Sequence, residues 1–419
     1  MTQQNEMSPR AAWMLVLAAS AILMITMGAR MTTGLFISPI NTSTQLGIVT
    51  ISFAVAVGQF VWGAAQPIFG AIADKFGPAR VIVAGAILLA LGMALTPFMR
   101  SEWSLLLAMG VLSAAGAGAG SFSILIGATA QRLPASRRGF AAGFINAGGS
   151  FGQFVFAPLM QFIISSAGWV AAMLTMAATT LLTIPLAWPL RKRRAPSVVV
   201  DTTAAIKASQ PAAVAEIGLG QQVRIALRNP SYLYLHAGFF TCGFHIAFLA
   251  THLPGEVALC NLPASVSAVS LSLIGLFNIA GSLTAGALSS RYRMKSMLSL
   301  MYASRAVIVI AYLLAPKTAL TFYVFAAALG FTWLATVPPT AGLVGKLFGM
   351  RYLGTLFGLT LLSHQIGGFL GAYLGGLTLA RNGDFSWMWY ADIALAIAAA
   401  LINLPIREER VAPKSLAMA

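Results

Sequence analysis

The chain has 419 residues, 58% of them hydrophobic and 9% charged, with a mean hydropathy of +0.83. That balance excludes a soluble globular domain, in which roughly a quarter of the residues are charged. The net charge of +16 has the sign of a nucleic-acid binder, but the basic residues fall in small groups between long apolar runs, which excludes that reading too.

In chain order, a polar head with one basic residue, Arg10, leads into the first apolar run. That run is too long for a signal-peptide core and lacks a clear cleavage site, so it reads as an uncleaved span. About 20 apolar residues cross the hydrocarbon core as a helix. Runs of that kind occupy 12–38, 48–72, 80–98, 103–129, 139–165 and 169–189, and then 231–253, 265–289, 297–315, 318–345, 352–377 and 387–406. The sequence therefore predicts an all-α membrane protein of twelve transmembrane helices. Residues 190–230 form the only long polar segment, opening with RKRR and ending in EIGLGQQVRIALRNP, which reads as a short surface helix. The predicted organisation is a six-helix half over 1–190, a linker over 191–229, and a second six-helix half with a tail over 230–419.

The charges then orient the chain. With both termini on the cytoplasmic side of the inner (plasma) membrane, 21 of the 26 basic residues fall in inner segments and only Arg100, Lys317 and Arg381 face the other side. This is the positive-inside pattern. The remaining two, Arg30 and Arg305, lie within spans. Cys242 is placed mid-span and Cys260 in an outer loop, too far apart for a disulfide. No metal-ligand spacing appears, and no cofactor is expected.

The two halves repeat weakly. GAIADKFGPAR (70–80) matches GALSSRYRMKS (286–296) at a shift of 216, and GFAAGFINAGGSFG (139–152) matches GTLFGLTLLSHQIG (354–367) at a shift of 215. Two six-span halves in the same orientation place a binding site at the midplane between them. Carried to the first span, the same shift sets Arg30 opposite His245.

The segment GAIADKFGPAR resembles the loop signature of the major facilitator superfamily, with Gly70, Asp74, Lys75, Gly77 and Arg80 in register and Pro78 departing from it. Across the whole chain, GARMTTGLF, WGAAQPIFGAIADKFG, AGGSFGQFVFAPL, GLFNIAGSLTAG and FGLTLLSHQIGGFLG resemble the monocarboxylate-transporter and oxalate:formate-antiporter branch, particularly its bacterial members. The resemblance implies two pseudo-symmetric six-helix halves. It also implies a substrate cation late in span one, where Arg30 stands, and a second in span eleven, where His364 stands. These carriers often place an arginine in span eight; here the matching positions are Asn278 and Ser282. Spans one, four, seven and ten are implied to line the cavity, and three, six, nine and twelve to support it.

The intramembrane polar residues carry the functional reading. Of the ten acids, Asp392, a few residues into the last span, comes nearest to mid-membrane depth, so Arg30 has no evident internal counter-ion. Its planar fork suits a carboxylate; the alternative is a structural arginine held by helix-end carbonyls or a polar neighbour. Arg305, in a support span, reads as structural. His245 and His364 are read as a second polar or protonatable contact, with hydrogen-bonded packing as the alternative; His236 and His252 read as packing. Gln59, Trp62 and Gln66, then Asn146, Ser150 and Gln153, then Asn278 and Ser282 recur at helical spacing, as cavity wall or as helix–helix contacts. The run GAGAG at 116–120 reads as close helix packing.

The expectation is a monomeric secondary transporter of small organic anions, foremost monocarboxylates, working by alternating access as proton symport or anion exchange. Its partners would be the anion, protons and the lipid bilayer, with no nucleic acid. An organic-phosphate or larger organic-acid exchanger is the runner-up, and an exporter of hydrophobic compounds is third. An intramembrane enzyme lacks a nucleophile or metal set. Asp74 is expected to act as a conformational latch, its carboxylate near the positive end of a neighbouring helix. Asp74→Asn should slow transport severely yet leave affinity within a few-fold; uptake and equilibrium binding measured on the same preparation check this.

Overall fold

In lipid every backbone N–H and C=O must be satisfied within the protein, so apolar runs of this length become helices. The computed structural model describes residues 8–130, 132–191, 218–289, 291–349 and 352–411, and the regular elements among them are helical. Span one is Pro9–Met31 continued by Gly34–Thr44; span two is Ile48–Phe76 and span three Pro78–Leu95. Span four begins at Glu102–Leu105, passes through a wide π-turn stretch at Leu106–Ser113, and continues as Ala114–Ala119 and Phe122–Ala130. Spans five and six share Ala135–Leu181, parted by Gly168 at φ +84°. The second half comprises Pro230–Leu259, Ala264–Leu288 and Met294–Leu314, then Ala319–Thr332 with Val337–Phe348, then Leu353–Asn382 and Ser386–Asn403, which are spans seven to twelve.

The ends are set by ordinary capping chemistry. Ser8 Oγ accepts from Ala11 N at 3.3 Å with Pro9 opening the helix, and Asn229 Oδ1 accepts from Tyr232 N at 3.2 Å with Pro230 doing the same. Gly77 turns the chain between spans two and three at φ +95°, and Pro78 starts span three. The Pro78 departure in the loop signature is thus a helix N-terminus.

Two predicted continuous spans prove interrupted. Span one breaks at Thr32–Thr33, where Thr33 Oγ1 donates to the Arg30 carbonyl at 2.9 Å. Span ten breaks between Thr332 and Val337, just before Pro338 and Pro339, which have no N–H to continue the ladder. Both breaks lie beside arginines within the spans, Arg30 partly buried and Arg305 fully so. The predicted linker lies largely outside the described residues; its last part forms the short helix Leu219–Leu227, near the surface helix read from the sequence.

The halves meet along two long seams and one short one. Spans two and eleven pack with Gly63 against Gln365 and Phe53 edge-on to Tyr373 at 5.5 Å. Spans five and eight are joined by Gln153 Nε2 donating to the Leu271 carbonyl at 3.0 Å and Ser272 Oγ donating to the Phe154 carbonyl at 2.8 Å. Spans one and seven touch where Gly34 faces the carbonyls of Ala250 and Thr251. Small residues allow such approach between membrane helices.

Within the second half the tightest approach useful for a test is Gly281 in span eight, where an added Cβ would lie 1.8 Å from the Phe331 carbonyl oxygen at the broken part of span ten. Gly281→Ala is expected to lower stability by about 1–3 kcal/mol through overpacking. Thermal unfolding in detergent, followed by monodispersity on size exclusion, checks it; an unchanged melting point would mean the seam opens freely.

Candidate functional site

Arg30 sits in the last turn of Pro9–Met31, one residue before the break in span one. Its Nη2 donates to Gln59 Oε1, and its guanidinium lies 4.1 Å from the centre of the Trp62 ring. The cation–π contact and the hydrogen bond come from successive turns of span two and fix the plane of the fork. The buried Trp62 Nε1 beside it has no hydrogen-bond partner.

The arginine opens on a cavity of about 80 Å³, room for several waters or one small anion. Its walls are mostly apolar, with Met31, Phe36, Leu89, Met93, Met109 and Met173 prominent, and Arg30 is its one charged side chain among the described residues. Three lining hydroxyls donate within their own helices: Thr33 to the Arg30 carbonyl, Thr96 to the Gly92 carbonyl at 2.7 Å, and Ser113 to the Ala108 carbonyl at 3.0 Å. The Ser113 bond spans five residues, across the π-turn stretch of span four, an irregularity frequent at functional sites. The guanidinium is therefore the principal donor offered to a ligand.

Spans one, two, three, four, six and seven build this cavity. The expectation from family resemblance had been spans one, four, seven and ten, so the site is offset into the first half. Span ten is drawn away by its own break and its contacts with span eight. Spans three and six reach the cavity through Leu89, Met93, Thr96 and Met173.

Of the other sequence-predicted site residues, Gln59 joins Arg30 and the rest do not. Gln66 accepts from Ser123 Oγ at 3.0 Å, toward span four. Gln153 is taken up at the seam with span eight, and Asn146 is half-buried in span five outside the cavity lining. Asn278 is fully engaged. It donates to Ser150 Oγ at 2.8 Å and accepts from Leu334 N at 2.9 Å and Ser282 Oγ at 3.2 Å, tying spans five, eight and ten together. His364 Nδ1 lies 3.1 Å from Gln365 Nε2 and its ring packs 4.9 Å from Phe239. The Asp74 side chain lies outside the described residues.

His245 calls for a correction. It does not line the Arg30 cavity; its Nδ1 pairs with Asp392 Oδ2, and both residues are 1% exposed. Asp392 is thus an intramembrane acid, which the apolar-run boundaries had set near a span end. The other buried cation, Arg305, donates from Nη2 to the carbonyls of Thr332 and Trp333, the second at 2.7 Å. Those carbonyls sit at the C-terminal end of Ala319–Thr332, the negative end of its dipole. The structural reading of Arg305 agrees with this geometry, whereas Arg30 faces open space.

Twelve helices in two halves, with a mostly apolar cavity holding one cation, define a multi-pass membrane transporter rather than an enzyme. The sequence matches the Major Facilitator Superfamily over residues 18–372, and the chain belongs to that family. It is similar to monocarboxylate transporter 13 of Rattus norvegicus, at 27% identity covering 94% of this chain and 89% of that one. It is also similar to the oxalate:formate antiporter of Oxalobacter formigenes, at 24% identity covering 90% and 86%. Among solved structures, a bacterial homolog of the human lysosomal transporter Spinster, in an inward-facing and unoccupied conformation, superposes with a TM-score of 0.72. That match has 14% identity and covers 95% of this chain and 97% of the other.

Asn278 provides a test of which polar residues belong to the cavity. Asn278→Leu should lose about 1–3 kcal/mol of stability by leaving Leu334 N and Ser150 unpartnered, while anion affinity changes less than threefold. Thermal unfolding and binding titration on the same variant check both parts.

Proposed function

We propose that this transporter carries small monocarboxylates by alternating access, with Arg30 as the counter-charge of the bound anion and Gln59 and Trp62 holding its fork. The observation that carries this reading is the single charged side chain on the cavity wall. One guanidinium neutralises one carboxylate through paired charge-assisted hydrogen bonds. A dicarboxylate or a doubly charged phosphate would bring an unpaired charge into an apolar pocket, which is strongly unfavourable. The methionine and phenylalanine walls suit a short hydrocarbon tail, and methionine adapts to tails of different shape. The relative named a monocarboxylate transporter points to the same chemical class, and the one named an oxalate:formate antiporter points to small carboxylates more broadly, since oxalate carries two.

In this reading Gln66, Asn146, Gln153 and Asn278 brace the helices around the cavity, His364 stands behind the wall, and Asp74 closes the loop between spans two and three. The positive-inside distribution supports an inner-membrane protein with both ends cytoplasmic, and the self-contained cavity supports a monomer as the working unit.

Arg30→Ala should abolish monocarboxylate binding without loss of folding or membrane insertion, and Arg30→Lys should weaken binding about tenfold by keeping charge but losing the fork. A thermal-shift and calorimetric panel of formate, lactate, succinate and glycerol phosphate on purified protein checks it, since a ligand of the folded state raises its stability. Stronger binding of succinate or glycerol phosphate than of lactate would favour a larger organic-acid or organic-phosphate exchanger instead. Normal lactate binding by Arg30→Ala would make Arg30 structural.

A further inference from the structure

We propose that the buried His245–Asp392 pair is a proton-binding site of this transporter, linked to the anion site through span seven. The inference takes its substrate from the reading above, whereas the proton site stands on its own geometry. His245 lies at the middle of Pro230–Leu259, and Asp392 lies about two turns into Ser386–Asn403. His245 Nδ1 meets Asp392 Oδ2, yet His245 Nε2 and Asp392 Oδ1 are buried without a hydrogen-bond partner. On the same helix His252 places Nε2 2.7 Å from the Ala372 carbonyl, while His236, like His245, has a buried Nε2 without a partner; what sets His245 apart is its carboxylate partner. The His245 pair keeps an open position on each partner, where a proton can be added or removed.

The surrounding groups make the proton count matter. Span nine contributes Arg305, which interacts electrostatically with Asp392, and Tyr302 beside it. Span seven adds Cys242, one turn from His245, which interacts electrostatically with Arg305. Span eleven brings His364 against Cys242, and span ten brings Thr336 at 3.4 Å from the thiol and the Trp333 ring at 6.0 Å from His245. Toward the opposite face from the chain ends, Tyr312 donates to Glu256 at 2.7 Å. Adding one proton to the pair raises the charge of this centre by one in a region of low dielectric, and a negative charge nearby offsets that.

The bound anion is that negative charge. Span seven lines the Arg30 cavity with Ala247, Ala250 and Thr251, which at 100° per residue lie on the face turned away from His245. The two sites therefore occupy opposite faces of one helix about 10 Å across, a separation at which unit charges change each other's binding roughly tenfold in a protein-like dielectric. Linkage is reciprocal: the anion tightens proton binding, and the proton tightens anion binding, by the same factor. One monocarboxylate and one proton then move together without net charge. Toward the face that bears the chain ends, a crevice of about 370 Å³ reaches Thr241 and Leu395, each about one turn from the pair, and holds His236 with its Nδ1 2.5 Å from Ser363 Oγ.

Two measurements test this. Nitrogen NMR of 15N-histidine-labelled protein in lipid should show one of the four histidines, absent from His245→Gln, whose protonation changes with pH and is favoured when lactate is bound. In proteoliposomes, an inward-acid pH gradient should drive lactate efflux against its gradient in the wild type. Asp392→Asn should lose that drive and its pH dependence while keeping lactate exchange, with lactate binding at pH 8 no weaker than in the wild type. A His245 signal that does not change from pH 5 to pH 9 overturns the proton site, without needing any variant to fold. So does pH-driven transport that persists in Asp392→Asn. Failure of lactate and formate to bind the wild type would overturn the monocarboxylate reading alone, and a His245 titration in that same sample would still support the proton site.

Discussion

A cation in a hydrocarbon layer must find its partners inside the protein, and that demand shapes the two halves of this transporter differently. In the second half, Val337, Pro338 and Pro339 interrupt span ten, and the break leaves the carbonyls of Thr332 and Trp333 without helical donors. Arg305 supplies donors to both, and Asn278 takes up the Leu334 N–H on the other side of the break. There Arg305 Nη2 serves both carbonyls, while its Nε and Nη1 are buried without a hydrogen-bond partner. In the first half, Arg30 also stands at the end of a broken helix, but Thr33 Oγ1 has taken the nearby Arg30 carbonyl and the guanidinium turns to span two and the cavity.

That difference divides the work. The first half holds a cation that faces the cavity, while the second holds one that donates to the carbonyls of a broken helix. Span seven belongs to the second half by sequence yet closes the cavity of the first, and it carries His245 on its other face. Any rearrangement that moves span seven away from span one at Gly34 also alters the wall around Arg30. The seams between spans two and eleven and between five and eight include glycines, hydroxyls and amides beside the Phe53–Tyr373 ring contact. Such contacts let two packed bundles rock while each stays intact, as transporters of this architecture require.

Much of this was legible in the sequence because it rests on composition and period. Twelve apolar runs, the polar linker and the loop signature gave the fold, and Arg30 stood out as a charge with no visible partner. Gln59 shared a helical face with Trp62, and both meet Arg30. What could not be read depended on contacts distant along the chain. Asp392 looked like a span-end acid until Ser386–Asn403 packed it against a helix 147 residues away. Asn278, Gln66 and Gln153 show the same periodicity whether they face a cavity or another helix, and only the neighbouring backbone decides. The break in span ten had a local signal, the consecutive prolines after Val337, whereas the wide turn around Ser113 had none beyond a run of small residues.

The position that separates this chain from better-known carriers of its branch then acquires a physical meaning. Where those carriers often have an arginine in span eight, Asn278 closes the hydrogen bonds of spans five and ten. An arginine there would need an anion of its own or the carbonyls that Arg305 already occupies. With Asn278 in place, the second half presents no charge to the cavity among the described residues, and under the proposed function selection falls to one guanidinium and a methionine-rich wall. A site of that kind discriminates sharply against added charge, because an unpaired anion in an apolar pocket is heavily penalised. It discriminates weakly between tails that differ by a methylene, which changes binding by only about 1–3 kcal/mol. Breadth in tail and strictness in charge follow from the same substitution.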